Sequence, residues 1–155
     1  MLYSSLNEVC TESKCPTMNA GHEYEYLWRN KKDKQFKKPT AVSAPQYISL
    51  LMDWIESYVN DEAVFPKDAS TPFPKDFLKI VKDIFKRLFR VYAHMFCAHL
   101  NDVKKLGEHA HLNTSFKHFM YFVFEFDLIS GSELAPLREV IIELLGDQYE
   151  SKIPK

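Results

Sequence analysis

Glycine is scarce in this chain, at four residues in 155. That leaves little material for the tight turns of a β-rich fold. The sequence contains no G-x-x-x-x-G-K-S/T, no G-x-S-x-G and no H-E-x-x-H, which removes the common signatures of P-loop NTPases, α/β-hydrolases and zinc proteases. Charge of one sign is not in excess either. Twenty Lys and Arg face 21 Asp and Glu, for a net charge of −1, so the chain as a whole is not a nucleic-acid-binding polycation and any anion site must be a local patch. No apolar run reaches the ~18 residues that span a bilayer. The N-terminus has neither the basic start nor the long apolar stretch of a signal peptide. Cysteine is limited to three, and without a secretory signal these are expected in a reducing compartment, free or bound to metal.

What is present is a core. Hydrophobic residues make up 46% and aromatics 14%, which argues against disorder, and the length suits one domain over residues 1–155. Residues 2–9 read as the tail of a helix. Tyr24, Tyr26 and Trp28 alternate at a strand period, and the lysine-rich stretch 29–38 follows, so a small β-hairpin with a charged tip is expected. Ser43 caps a helix with Pro45 in its first turn and Ile48, Leu51, Met52, Ile55 and Val59 on its apolar face. Three prolines mark 61–75 as a loop, and Asp76 caps the next helix, with Phe77, Ile80, Val81, Ile84, Leu88, Tyr92 and Met95 inward. A short helix is expected over 101–112. Asn113 or Thr114 then caps a helix so apolar all round that it reads as the buried centre, and without a secretory signal the sequon at Asn113 reads as a cap rather than a glycan site. A last helix carries Leu137, Val140, Ile141, Leu144 and Leu145. The fold class is all-α with a minor hairpin.

Two pairs of metal-binding residue types share one spacing. Cys10 and Cys15 lie five apart on an irregular segment, and His94 and His99 lie five apart near a helix end. Zinc accepts two thiolates and two imidazoles tetrahedrally, and with all positions filled by protein such an ion is a structural clamp. Five residues on a straight helix turn the side chain by about 140°, so His99 is expected where the helix ends. Cys97, three residues from His94, is a rival ligand. Two bland readings stand beside the metal: a Cys10–Cys15 disulfide, which the compartment disfavours, and histidines with no ligand at all.

Just upstream on the same helix, Lys86, Arg87 and Arg90 fall on one face. Three like charges this close repel unless an anion sits among them, and arginine forks suit phosphate. A solvated basic face is the plain alternative. Glu108, His109 and His111 form an H-x-H with no third ligand at a telling distance; with an open coordination position they would make a zinc hydrolase. The lysines at 31, 32, 34, 37 and 38 read as a solvated turn, or as the contact surface of a zinc-stabilised nucleic-acid module.

At this point longer motifs speak. C-T-E-S-K-C-P-T-M-N-A-G-H-E-Y-E-Y-L-W, K-K-P-T-A-V-S-A-P-Q-Y-I, F-P-K-D-F, K-R-L-F-R-V-Y-A-H-M-F-C-A-H and A-H-L-N-T-S-F-K-H-F occur in order. Together, over about Leu2 to Leu145, they resemble the Mob/phocein family, in particular the branch that co-activates NDR/LATS-type kinases in Hippo and mitotic-exit signalling. The resemblance implies a four-helix-bundle-based fold without catalysis. It implies one structural Zn2+ held by Cys10, Cys15, His94 and His99, with Cys97 left out. It implies that Lys86, Arg87 and Arg90 receive a phosphorylated Ser/Thr peptide from an upstream Ste20/MST-like kinase or a scaffold, coupled to binding of an NDR/LATS-type kinase, in the cytoplasm and nucleus. Relative to that family the chain begins inside the usual N-terminal region, short of the helix whose acidic residues meet the kinase. The tip N-K-K-D-K-Q departs from the family pattern and has no role assigned by it.

Overall fold

Ser43 starts the first long helix as the sequence suggests: its hydroxyl accepts the Gln46 N–H at 3.3 Å and Pro45 occupies the first turn. This is α1, Ala44–Val59, in a computed structural model that describes residues 6–155. The expected helix tail over 2–9 lies largely outside the described residues; from Leu6 the chain makes a turn in which the Val9 and Cys10 N–H groups both donate to the Leu6 carbonyl. Helix α2 is Phe77–Ala98, α3 is Leu100–Lys105, α4 is His109–Glu125, α5 is Gly131–Leu134 and α6 is Arg138–Leu145. Short 3₁₀ segments, Ala135–Leu137 and Asp147–Lys152, flank α6. The described residues are mostly helical, as expected for an all-α chain, and none of their helices is long and apolar enough to cross a membrane.

The hairpin does not form as paired strands among the described residues. Two isolated antiparallel bridges appear instead, Asn19 with Glu25 and Trp28 with Thr40. Trp28 and Thr40 exchange both backbone hydrogen bonds at 2.8 Å. A regular ladder would next pair residue 30 with residue 38. The Asn30 N–H goes to Phe36 O instead, so the register slips by two residues within one step. The alternation is nevertheless real: Tyr26 and Trp28 are buried while Glu25 and Leu27 are exposed.

The inward faces shift from those read off periodicity. In α1, Tyr47, Ile48, Leu51 and Trp54 are buried, whereas Met52 and Val59 are exposed. In α2 the last turns are buried on several sides, with Phe89, Val91, Ala93, His94, Met95 and Phe96 all inside. The N-terminal segment covers one side of α2, and α4 covers another through Phe85–Phe119 and Phe89–Phe116. Asp76 takes the N-cap position of α2 but makes no cap hydrogen bond. Its φ of −95° and ψ of 9° lie outside the extended region that lets a cap side chain reach back.

The α3–α4 boundary also differs. Helix α3 stops at Lys105, Gly107 adopts a φ of +71°, and α4 restarts at His109. Asn113 and Thr114 are therefore inside α4 and cap nothing. The reason is the stripe Leu112, Phe116, Met120, Val123, all buried, whose spacing makes 109–125 one amphipathic helix. That helix is not buried all round: Tyr121, Phe122 and nearby Phe126 are 47, 46 and 56% exposed. Helix α1 packs on α2, α4 packs on α6, and Ile141 and Leu145 of α6 join the core with Leu137.

Candidate metal centre and basic cleft

Residues 10–29 run along α2 in the opposite direction. Cys10 and Cys15 meet the C-terminal end of α2, Tyr26 meets Arg90, and Trp28 meets Arg87. At the C-terminal end α2 stops at Ala98, and His99 takes φ −124°, ψ 12° before α3 begins. That break cancels the divergence a straight helix would impose on two histidines five residues apart. Their Nε2 atoms lie 3.2 Å apart. Cys10 Sγ is 3.6 Å from His94 Nε2, and Cys15 Sγ is 3.3 Å from His99 Nε2. One ligand atom from each residue lies within 4.8 Å of all the others.

Those distances test the fit of an ion. Ligands held 2.0–2.3 Å from a tetrahedral zinc lie about 3.3–3.8 Å from one another. The three contacts above fall in or just below that range, and two thiols with two imidazoles form a donor set that zinc accepts. The cluster can hold a metal, with four protein ligands and no open position. Cys97 is exposed and outside it.

The two imidazoles are oriented from behind. His94 Nδ1 lies 2.8 Å from the Asn19 carbonyl. A carbonyl only accepts, so Nδ1 carries the proton and Nε2 presents its lone pair to the centre. His99 Nδ1 donates in the same way to Asp102 Oδ2 at 3.3 Å. The burial of the thiols opposes their ionisation. Burial, and after it the neighbouring Cys15, push the Cys10 thiol up to about 12. Burial raises Cys15, and burial lowers His94 against the opposing bond to Asn19. A dication reverses the preference of the thiols by stabilising thiolate.

Eight residues upstream of His94, the cations of α2 are held by other means. Arg87, whose side chain is 14% exposed, lies between two indoles, its guanidinium carbon 4.9 Å from the Trp28 ring and 4.4 Å from the Trp54 ring. It donates to the Arg29 carbonyl at 2.9 Å, and its Nε and second terminal nitrogen each lie 3.3 Å from an oxygen of Asp83. Lys86 Nζ also reaches Asp83, at 3.4 Å. Arg90 stacks 4.9 Å over Tyr26 and donates to the Tyr47 hydroxyl at 3.0 Å. Among the described residues its buried Nε finds no hydrogen-bond partner. Lys86 and Arg87 line a cleft of about 960 Å³; Arg90 does not.

Sequence reasoning missed Asp83. The three cations are not left unneutralised: a carboxylate three residues before Lys86 and four before Arg87 already engages both. That spacing was readable. The aromatic cage was not, because Trp28 and Trp54 are far from Arg87 in sequence. Among the described residues the hydrolase candidates form no metal-competent group: exposed His111 lies 3.8 Å from Glu108, while His109 meets Asn113 instead. Among the described residues the only metal-competent group is the two-cysteine, two-histidine cluster.

Residues 1–137 match the Mob1/phocein family. The chain belongs to that family. It is 52% identical over 146 residues to "MOB kinase activator-like 1A" of Arabidopsis thaliana, covering 94% of this chain and 67% of the relative. It is 51% identical over 145 residues to "MOB kinase activator-like 1 homolog A" of Dictyostelium discoideum, with the same coverage. It is 49% identical over 140 residues to "MOB kinase activator 3A" of Homo sapiens, covering 90% of this chain and 64% of that protein. This Mob chain thus spans about two thirds of the length of the relatives it matches.

Proposed function

We propose that this Mob-family domain is a non-catalytic adaptor that binds phosphorylated Ser/Thr peptides and activates protein kinases of the NDR/LATS type. The phosphopeptide comes from a Ste20/MST-like kinase or a scaffold, and a structural Zn2+ on Cys10, Cys15, His94 and His99 fixes the helix that presents the phosphate-binding side chains. The relatives' names supply the kinase-activator part. Lys86, Arg87 and Arg90 supply the phosphate part.

The observation that carries the phosphate reading is the preorganisation of Arg87 and Arg90. Each guanidinium is oriented by an aromatic ring and a hydrogen bond before any ligand arrives, so little side-chain entropy remains to be lost on binding. The unpartnered Nε of Arg90 is a donor still to be satisfied. A phosphate would replace Asp83 as the partner of Lys86 and Arg87 through charge-assisted hydrogen bonds.

Calorimetry with a phosphothreonine peptide and its unphosphorylated twin tests this. Binding is expected for the phosphorylated peptide only, with Arg87→Ala weakening it about 10- to 100-fold, the range for a hydrogen bond to a charged group. Equal affinity of the two peptides for the parent protein sinks the phosphate reading. Stimulation of an NDR/LATS-type kinase in a purified assay tests the activator part separately.

A further inference from the structure

The cleft beside Lys86 and Arg87 is more basic than a single phosphate requires. Its walls are the loop 29–32, the end of α1 with Trp54 and Tyr58, residues 76–87 of α2, and the segment 128–133. Five further cations line it: Arg29, Lys31, Lys32, Lys79 and Lys82. None of the five makes an ion pair among the described residues; Asp83, the carboxylate that does pair in this cleft, is taken by Lys86 and Arg87. Asp76 and Glu133 also line the cleft, and seven cations against three carboxylates leave it strongly positive in a chain of net charge −1.

The cations are arranged rather than scattered. Lys79, Lys82 and Lys86 follow an i, i+3, i+7 spacing, which sets them in a row along one face of α2 over a rise of about 10 Å. Lys31 and Lys32 face them from the loop, and Lys32 Nζ rests 5.0 Å over the Tyr58 ring. The stretch 31–38, a solvated turn by sequence, therefore divides: Lys31 and Lys32 line the cleft, while Lys34, Lys37 and Lys38 are exposed outside it. Apolar groups, among them Trp54, Ile80, Leu128 and Ile129, line the same cleft. A concave surface with apolar walls focuses the field of its charges. A lining that mixes apolar and basic side chains suits an extended peptide better than a nucleic-acid backbone, and the row on α2 is as long as about three extended residues.

We propose that this cleft is an acidic-peptide subsite, taking carboxylate or further phosphate side chains within about three positions of the phosphorylated residue. The proposal rests on the phosphopeptide reading only for the peptide's anchor at Lys86 and Arg87. It gives Lys31 and Lys32 a role in selecting which phosphorylated segments dock.

Three peptides, measured by fluorescence anisotropy at low salt, test it: a phosphothreonine peptide with neutral flanks, the same with glutamates on both sides, and the glutamate peptide unphosphorylated. Each is titrated with the full chain and with two double variants, Lys31→Ala/Lys32→Ala and Lys79→Ala/Lys82→Ala, whose exposed side chains leave the fold intact. Acidic flanks are expected to tighten binding about tenfold, as the sum of several exposed pairs. Each double variant is expected to remove most of that gain and to change the neutral phosphopeptide by less than about twofold. Phosphate-dependent binding with no preference for acidic flanks, a preference that survives both double variants, or no binding of any peptide overturns the proposal. Acid-dependent binding indifferent to phosphorylation supports the cleft and removes the phosphate reading instead. Tighter binding of a single-stranded oligonucleotide than of the acidic phosphopeptide would overturn the peptide as occupant.

Discussion

Helix α2 carries two clusters of polar side chains, and they are built on opposite principles. At its C-terminal end, His94 and His99 are buried with Cys10 and Cys15 around a point, and each imidazole is locked from behind by one acceptor. Two and three turns earlier, Lys86, Arg87 and Arg90 are only partly buried, and each keeps its charge by leaning on an aromatic ring or a carboxylate. The first cluster has nothing left to offer a ligand once a metal is bound. The second has partners it can exchange. On the proposed reading, the same helix would separate an element of stability from an element of recognition by about eight residues, and the antiparallel segment 10–29 contacts both clusters.

The largest effect is expected where that separation is most easily broken. Cys15→Ser removes one ligand from a closed centre, and losses of this kind cost about 4 kcal/mol or more. For a chain of this size that is a fall of about 10 °C in thermal midpoint. Scanning fluorimetry with elemental analysis checks it; an unchanged midpoint in a protein that never contained metal would erase the contrast. Arg90→Ala is expected to do the reverse. Phosphopeptide affinity falls about 10- to 100-fold, by the loss of hydrogen bonds to a charged group, while the midpoint moves by only a few degrees. A drop in midpoint as large as that of Cys15→Ser would mean that the cationic end is structural too.

Asp102→Asn sharpens the comparison. It keeps the contact to His99 Nδ1 but removes the charge behind it, and metal affinity is expected to fall about tenfold. Competition with a calibrated chelator reads this directly, and phosphopeptide binding by the metal-replete variant should be unchanged. The smallest effect is assigned to Asp83→Asn. It removes the carboxylate that holds Lys86 and Arg87 and repels an incoming phosphate, so binding is expected to tighten about threefold. Weaker binding would show that Asp83 positions Arg87 more than it competes.

Much of this was legible in the chain before folding. The Ser43 cap, the helical register of α6 and the shared five-residue step of the two ligand pairs are local patterns, and local patterns survive. The position of His99 at a helix end followed from angular arithmetic alone. The errors lie where long-range packing decides. The hairpin depended on a register that Asn30 breaks by bonding to Phe36. Helix α4 absorbed Asn113 and Thr114 because burial of Leu112 and Phe116 outweighs the weak preference of such residues for caps. The same helix looked buried all round in sequence because nothing local distinguishes Phe116 from Phe122, which is half exposed. The acceptor behind His94 is a main-chain carbonyl, and no residue type marks its position.

The course of residues 10–29 has one more consequence. Between this segment and the rest of the chain runs an exposed, lysine-rich loop that trypsin can cut. A clip there would leave two polypeptides still joined by the Cys–His centre, by the edge-on packing of Trp28 against Tyr47 and Trp54, and by the Ala44 N–H bond to Cys15 O. The nicked molecule should travel as one species on a sizing column and come apart when a chelator is added, so the ion would act as the rivet of a two-piece protein.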